Sequence, residues 1–229
     1  DTQPFQPNAH CSGGLYFSDL EHIVWYLDYG DLVARVAVPP EARWIQEAPG
    51  QFKADRIILS DLQPWKDWDL WNDADFASRA VAFEDLYLEH AKNQTPELCW
   101  VAVQQNAWAL EHVKDQTPKL CWAAVQKDAW VLQHVKDQTP ELCLAAVQKD
   151  AKVLKLVKHQ TFELCLAAVR RNGCALEHVN DQTFELCLAA VRQNAWALQF
   201  VKDQTLELCL AAVQQDGRAA LKCEKDQTD

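Results

Sequence analysis

The chain has 229 residues, 49% of them hydrophobic, with ten tryptophans, nine cysteines, no methionine and a formal net charge of −11. That length suits one small domain plus an array of repeats, and no apolar run is long enough to span a bilayer. The charge argues against nucleic acid as a partner, because residues 1–72 hold five basic against eleven acidic groups and residues 73–229 hold seventeen against twenty-two, leaving no basic footprint for phosphates.

In chain order, residues 1–10 read as an irregular leader in which Pro4 and Pro7 block regular structure. No secretory signal opens the chain, and a start at Asp1 without any Met reads as a fragment or a processed product. Leu15-Tyr16-Phe17 after Gly13-Gly14 predicts a short strand, and Asp19 to Leu27 a helix capped by Ser18. Leu32 to Val38 alternates like a strand until Pro39-Pro40 ends it, and Arg56 to Leu59 predicts a third strand, introduced by Gly50 and the polar Gln51 to Asp55. Residues 1–60 thus form a small α+β N-terminal domain, near the lower size for independent stability. Residues 61–72 are a Trp-rich connector in which Trp65, Trp68 and Trp71, spaced by three, are expected to dock on the first repeat.

From residue 73 the chain is a tandem array. Thr95, Thr117, Thr139, Thr161, Thr183 and Thr205 recur every 22 residues without insertion or deletion, and Cys99, Cys121, Cys143, Cys165, Cys187 and Cys209 keep the same step. The Thr is a good N-cap, and Pro96 after it suits the first helical position, where no N–H is needed. The helix that follows carries Leu98, Cys99, Val101, Ala102 and Val103, an apolar set that wraps more than one face and predicts a buried helix. Asn106 and its counterparts Asp128, Asp150, Asn172, Asn194 and Asp216 mark its end, with Gly173 and Gly217 read as left-handed turn residues. A second, shorter helix carries Ala107, Trp108, Leu110, His112 and Val113, and polar Lys114-Asp115-Gln116 leads to the next Thr. One such hairpin cannot bury its own apolar face, so the fold class is mainly α: an α-solenoid of about seven helix-turn-helix units, starting at 73, 95, 117, 139, 161, 183 and 205. The first is a degenerate copy, in which Asp73 stands for Thr and Phe76 for Leu98. The last carries Arg218, Lys222, Glu224, Lys225 and Asp226 as a charged terminal cap.

The cysteine column does not read as a disulfide framework. Equivalent positions on stacked helices sit about 8–10 Å apart, whereas a disulfide needs Cα atoms within about 7 Å. No CxxC pair occurs and the single CxxxH match, Cys174 to His178, has no second pair beside it, so no metal and no cofactor is expected. The six repeat thiols read as small buried apolar groups, with a reducing, cytoplasmic compartment as the corollary.

The strings CSGGLYF (11–17), Tyr29-Gly30, VAVPPEA (36–42) and FKADRIIL (52–59) resemble a domain found ahead of ankyrin, pentapeptide and other repeats in proteins of large DNA viruses and bacteria. The 22-residue unit resembles the uncharacterised TPELCLAAV-type helical repeats of bacteria, amoebal symbionts and giant viruses. Together these resemblances imply intracellular interaction proteins directed at hosts, and no reaction. Gly14-Leu15-Tyr16-Phe17-Ser18, followed by a helix and a strand, is also similar to the G-x-Y-F-[AS] segment of ADP-ribosyltransferases, where a strand Tyr lines the nicotinamide pocket. The remaining pattern is missing, since only His10 precedes it and the late strand offers Asp55 rather than Glu.

Function is expected on columns that vary from copy to copy. The column of Trp108 reads Leu86, Trp108, Trp130, Lys152, Cys174, Trp196, Arg218, and a position that accepts Lys and Arg is not deeply buried. Four residues on, the column reads His90, His112, His134, Leu156, His178, Phe200, Lys222, which in an α-helix places Trp and His on one face. The candidate partner-binding residues are Trp108, His112, Trp130, His134, Lys152, His178, Trp196 and Phe200, a composition that protein interfaces favour; alternatively these aromatics roof the groove between successive second helices, with Lys and Arg snorkelling out. The row of Gln105, Lys127, Lys149, Arg171, Gln193 and Gln215 reads as a solvated face. The functional expectation is a non-enzymatic scaffold that binds another protein, with an ADP-ribosyltransferase-like N-terminal enzyme domain and a self-assembling structural array as alternatives.

Overall fold

The computed structural model describes residues 15–217. The expected leader, Cys11, Gly13-Gly14, Cys223 and the charged cap from Arg218 onward lie outside the described residues. The protein is a helical repeat solenoid with a small α+β N-terminal region. It divides into two compact units, one running to Gln105 with His112–Lys114 added, the other holding Asn106–Glu111 and everything from Asp115 on.

In the first unit, β1 (Leu15–Phe17), β4 (Gln51–Ala54) and β3 (Trp44–Ala48) form an antiparallel sheet in the order β1-β4-β3. β2 (Leu32–Ala37) pairs antiparallel with β5 (Ile58–Pro64), the register slipping between Val33 and Arg35. Opposite that slip Asp61 takes a positive φ of 51° and its carboxylate meets Arg35 at 3.1 Å. Sequence pattern located β1 and β2. It missed the β3–β4 hairpin, because the segment expected to introduce the third strand is itself β4, and the third strand begins two residues later than expected, at Ile58. The hairpin turns at Pro49-Gly50. Gly50 has φ 68°, and a Cβ there would lie 2.1 Å from the His22 Cβ, so both backbone and space require glycine. Ser18 does not cap the following helix. Its Oγ donates to the Gly50 carbonyl at 2.6 Å, and the helix is a 3-10 helix over Ile23–Tyr29 whose N-cap, His22, makes no side-chain cap; the Asp19 carboxylate accepts the His22 N–H at 2.9 Å in the turn before it.

The connector tryptophans are all buried. Trp65 and Trp71 lie in two single-turn 3-10 helices, Trp65–Asp67 and Asp69–Asn72, with Trp68 extended between them, and all three pack on the degenerate repeat. Trp71 stands edge-on to Phe76 at 5.1 Å, Trp65 meets Tyr87 at 5.7 Å and His90 at 4.8 Å, and the Trp71 indole N–H donates to the Trp65 carbonyl at 2.8 Å. Such contacts add about 0.5–1.5 kcal/mol each beyond area burial. Burial in this cluster also pushes the His90 imidazole pKa below its ordinary value.

Among the described residues, each of the first six repeats pairs a ten-residue α-helix with a 3-10 helix, and the seventh shows its α-helix. The α-helices are α1 (Ala74–Phe83) and α2 (Pro96–Gln105) in the first unit, and α3 (Pro118–Lys127), α4 (Pro140–Lys149), α5 (Phe162–Arg171), α6 (Phe184–Gln193) and α7 (Leu206–Gln215) in the second. The Thr hydroxyl caps as expected, Thr139 Oγ1 accepting from the Leu142 N–H at 3.3 Å, and in the degenerate copy Asp73 does the same for Phe76 at 2.8 Å. Leu142, Cys143, Ala146 and Val147 of α4 are buried, as are the equivalent residues of α3, α5 and α6. The α-helix is not buried all round, however: Val101 and Trp100 of α2 are exposed.

The expected second α-helix is a 3-10 helix, for instance Ala129–His134, Ala151–Leu156 and Ala195–Phe200. Its length explains why. Six residues rise about 12 Å in a 3-10 helix but only about 9 Å in an α-helix, so the stretched form better matches the roughly 15 Å of its ten-residue neighbour. The Asn/Asp column is correspondingly not a left-handed terminus. Asp128 is extended (φ −141°, ψ 117°) and N-caps the 3-10 helix, its Oδ1 accepting the Trp130 N–H at 2.9 Å. Gly173, expected in a left-handed turn, is simply the first residue of a 3-10 helix, where Ala129, Ala151 and Ala195 stand in other copies.

Candidate protein-interaction surface

The polar group that organises each repeat is a glutamine. The Gln138 Nε2 donates to the Leu132 carbonyl of its own 3-10 helix at 3.0 Å and to the Leu156 carbonyl of the next at 3.0 Å. Its Oε1 accepts the Lys158 N–H at 2.9 Å and lies 3.9 Å from the Cys143 thiol. Both amide hydrogens and the carbonyl oxygen are therefore used. Gln116, Gln160 and Gln182 repeat the arrangement within the second unit, and Gln94 repeats it within the first. Sequence reasoning passed over this residue as part of a polar linker. The signal was present, since Gln stands before Thr in every copy while Lys114 is replaced by Asn180 and Asp137 by His159.

The cysteines are thiols, seven of them free among the described residues. Burial pushes the pKa of Cys121, Cys143, Cys165 and Cys187 above the ordinary thiol value. Their sulfurs face the Gln Oε1 and carry no metal-like cluster with them; among the described residues no group of His, Cys, Asp and Glu is placed to hold an ion. No helix there is long and apolar enough to cross a membrane.

The expected binding column is only partly free. Trp108 and Trp196 are about two-fifths exposed, Lys152 is exposed and Trp130 is half-buried. The Trp108 indole N–H donates to Asp128 Oδ2 at 2.9 Å, and the Trp130 indole does the same to Asp150 at 3.0 Å, so each ring bridges to the cap of the following repeat. His112, His134, His178 and Phe200 are half-buried. The pairing of Trp and His on one face does not hold, because four residues of a 3-10 helix turn through about 480°, leaving the two side chains roughly 120° apart. Instead the Trp108 ring stands edge-on to His134 of the next copy, 5.4 Å between centroids, and Lys155 Nζ sits 4.6 Å over the Trp130 ring. The aromatics thus roof the seam between successive 3-10 helices while leaving part of each ring exposed.

The row read as a solvated face is also engaged. The Gln105 side chain donates to the Ala82 carbonyl at 2.9 Å, Arg171 to Lys149 at 2.9 Å and Gln215 to Arg192 at 2.7 Å, and Lys149 reaches Gln126. These are carbonyls near the C-terminal end of the preceding α-helix, which lack intrahelical partners and favour positive or donor groups.

Sequence reasoning also overlooked an apolar column on the α-helices. Trp100, Trp122, Leu144 and Leu210 are exposed. Leu166 and Leu188, half-buried, complete the column, and a turn earlier Phe162, Phe184 and Leu206 are exposed as well. In the N-terminal sheet, Tyr16 is about two-fifths exposed with the buried Lys53 Nζ 5.6 Å from its ring, and Lys53 in turn meets Glu47 at 3.5 Å. Asp55, the acid of the transferase-like pattern, is bound to Arg43, whose guanidinium holds its carboxyl below the ordinary range.

Residues 161–206 match a domain of unknown function (DUF4116), a stretch covering two consecutive repeats and the first two residues of a third. No curated protein matches the chain, and no solved structure does.

Proposed function

We propose that this chain is a non-enzymatic scaffold that binds another protein through the side chains its repeats leave exposed. The observation that supports this reading is the contrast between two sets of columns. The polar framework is consumed within the array by the Gln and Asp bonds, yet large apolar side chains such as Trp108, Trp122, Phe184 and Trp196 stand exposed, where a partner rather than the fold would cover them. The 3-10 helices offer exposed Trp108, Trp196 and Lys152 and half-buried Trp130, together with half-buried His112, His134, His178 and Phe200. The buried high-pKa thiols suit a reducing compartment.

The test is affinity capture by the intact chain beside a Trp108→Lys, Trp130→Lys, Trp196→Lys variant and a Trp122→Lys, Leu144→Lys variant, each verified as equally helical by circular dichroism. A captured protein identified by mass spectrometry, retained by the parent and lost with either variant, is the expected result. Capture indifferent to both variants, or none, would refute the scaffold reading.

A further inference from the structure

The α-helical face carries a second feature that bears on what kind of partner fits. Between the first turns of α4 and α5 lies a groove of about 550 Å³, lined in part by Pro140, Leu144, Glu141, Glu163 and His159. One repeat earlier a smaller groove of about 160 Å³ is lined in part by Pro118, Trp122, Asp137 and Glu141. Neither lining includes Lys or Arg.

Two observations indicate that this strip does more than face solvent. First, its apolar columns stay apolar in all six copies that begin with Thr. In those copies the fifth helical position is always Trp or Leu and the first is always Pro, Phe or Leu, although Trp122, Leu144, Phe162, Phe184, Leu206 and Leu210 are exposed; the degenerate first copy has Ser78 and Ala74 there. The neighbouring exposed column tolerates a reversal of charge, since Lys119 stands where Glu141 and Glu163 align. Second, the Asp, Glu, Lys and Arg side chains that line the two grooves are all carboxylates, Glu141, Glu163 and Asp137, although Lys119 stands beside Pro118 on the strip. A first-turn Glu complements the helix dipole, which accounts for Glu141, Glu163, Glu185 and Glu207 individually. It does not account for Asp137, which lies before the helix cap and lines the groove with them.

We infer that this groove docks a cationic amphipathic protein segment, its leucine-like side chains against Leu144 and Trp122 and its Lys or Arg groups against Glu141, Glu163 and Asp137. Apolar anchoring in the groove combines with carboxylates at the rim, which steer association and select the sign of the partner. An acidic segment or an anionic membrane meets like charge on the same surface. The inference rests on the scaffold reading and specifies the partner's chemistry on one face of it.

The test uses the full chain and a fluorescein-labelled helix-forming peptide of Leu and Lys, with a Leu and Glu peptide of the same pattern as control, read by fluorescence anisotropy. Binding of the Leu/Lys peptide alone is expected. It should weaken by about tenfold or more when ionic strength rises from about 0.1 M to about 1 M, which shortens the screening length from about 10 Å to about 3 Å. Glu141→Gln with Glu163→Gln, and separately Leu144→Ser, should each weaken it at least severalfold, while Glu111→Gln with Glu177→Gln, which removes two exposed carboxylates from the 3-10 helices, should bind as the parent does. Absence of binding, equal binding of both peptides, or affinity unchanged in the groove variants overturns the inference. If that happens while a captured protein is still lost with the Trp108, Trp130 and Trp196 variant, the scaffold reading survives and only the groove is wrong.

Discussion

Replacing Gln138 by Ala is the sharpest test of how the array holds together. The substitution removes four interactions at once: donation to the Leu132 and Leu156 carbonyls and acceptance from the Lys158 N–H and the Cys143 thiol. They do not count equally. The Leu132 carbonyl keeps the Val135 N–H at 3.2 Å, Lys158 is exposed enough for water to replace its acceptor, and a thiol is a weak donor. The cost then lies mainly in the Leu156 carbonyl and in the packing of the Gln stem. At about 1–3 kcal/mol for a polar group left unsatisfied and about 1 kcal/mol net for a further bond, the loss should be about 2–4 kcal/mol. For a chain of this size that is a fall in Tm of roughly 5–15 °C. Gln138→Glu sharpens the test, because a carboxylate accepts from Lys158 but donates to neither carbonyl, so it should be at least as destabilising at neutral pH and partly recover in acid when protonated. Urea unfolding followed by far-ultraviolet circular dichroism measures both. A loss below about 0.5 kcal/mol for Gln138→Ala, the range of an ordinary surface change, would refute the claim that this amide stitches the repeats.

Other predictions follow from the same contacts. Asp128→Ala removes both the cap of the 3-10 helix and the acceptor for the Trp108 indole and should cost about 1–3 kcal/mol; Asp128→Asn keeps the cap, as Asn172 and Asn194 do in other copies, but turns an amide NH2 on the Trp108 indole N–H and should lose about 1 kcal/mol for that bond, and thermal unfolding of the two variants decides. Trp71→Ala empties the aromatic seal over the degenerate repeat and should cost about 3–5 kcal/mol, with backbone amides of α1 losing hydrogen-exchange protection before those of α5. The buried thiols give a pH dependence. Their folded pKa values lie above the ordinary 9.0, so the native state keeps protons that the unfolded chain releases; stability is unaffected below about pH 9 and falls as pH rises above it. Cys143→Ser and Cys165→Ser together should flatten that alkaline limb in urea titrations, and in the parent a thiol reagent at pH 8 should modify half-buried Cys174 and Cys209 before the buried column.

The repeat made the solenoid legible because its signals are local and recur. Thr caps, Pro at the first helical position and apolar residues at fixed steps each carry meaning within a few residues, and six copies fix the register. What stayed hidden depends on partners a full repeat away. Gln138 finds its second carbonyl at Leu156 and Trp108 its acceptor at Asp128, contacts that no window of one helix contains. The helix type of the second element was likewise invisible to periodicity, since Ala107, Leu110 and Val113 are spaced by three and fit a 3-10 helix as readily as the shared face of an α-helix. The β3–β4 hairpin was missed for a different reason. Pro49-Gly50 was a turn signal in plain view, but the strands on either side, WIQEA and QFKA, lack clean alternation, and their inward polar residue Lys53 is buried against Glu47.

The 22-residue period connects these findings. A unit this short has room for one α-helix of ten residues, and the return element reaches a comparable length only by stretching into a 3-10 form. That choice has a consequence at its end. A 3-10 helix bonds each N–H three residues back, so its last carbonyls have no helical partner and, packed against the next copy, too little water to replace one. The Gln138 amide meets one such carbonyl, Leu156 of the helix it faces, together with the Leu132 carbonyl of the helix it follows, which the Val135 N–H also reaches, and this ties the position of each return element to that of its neighbour. Its place in the sequence is therefore fixed by the period itself. The exposed faces of the α-helices carry no such duty, and a column there that remains apolar in all six copies requires a reason outside the repeat.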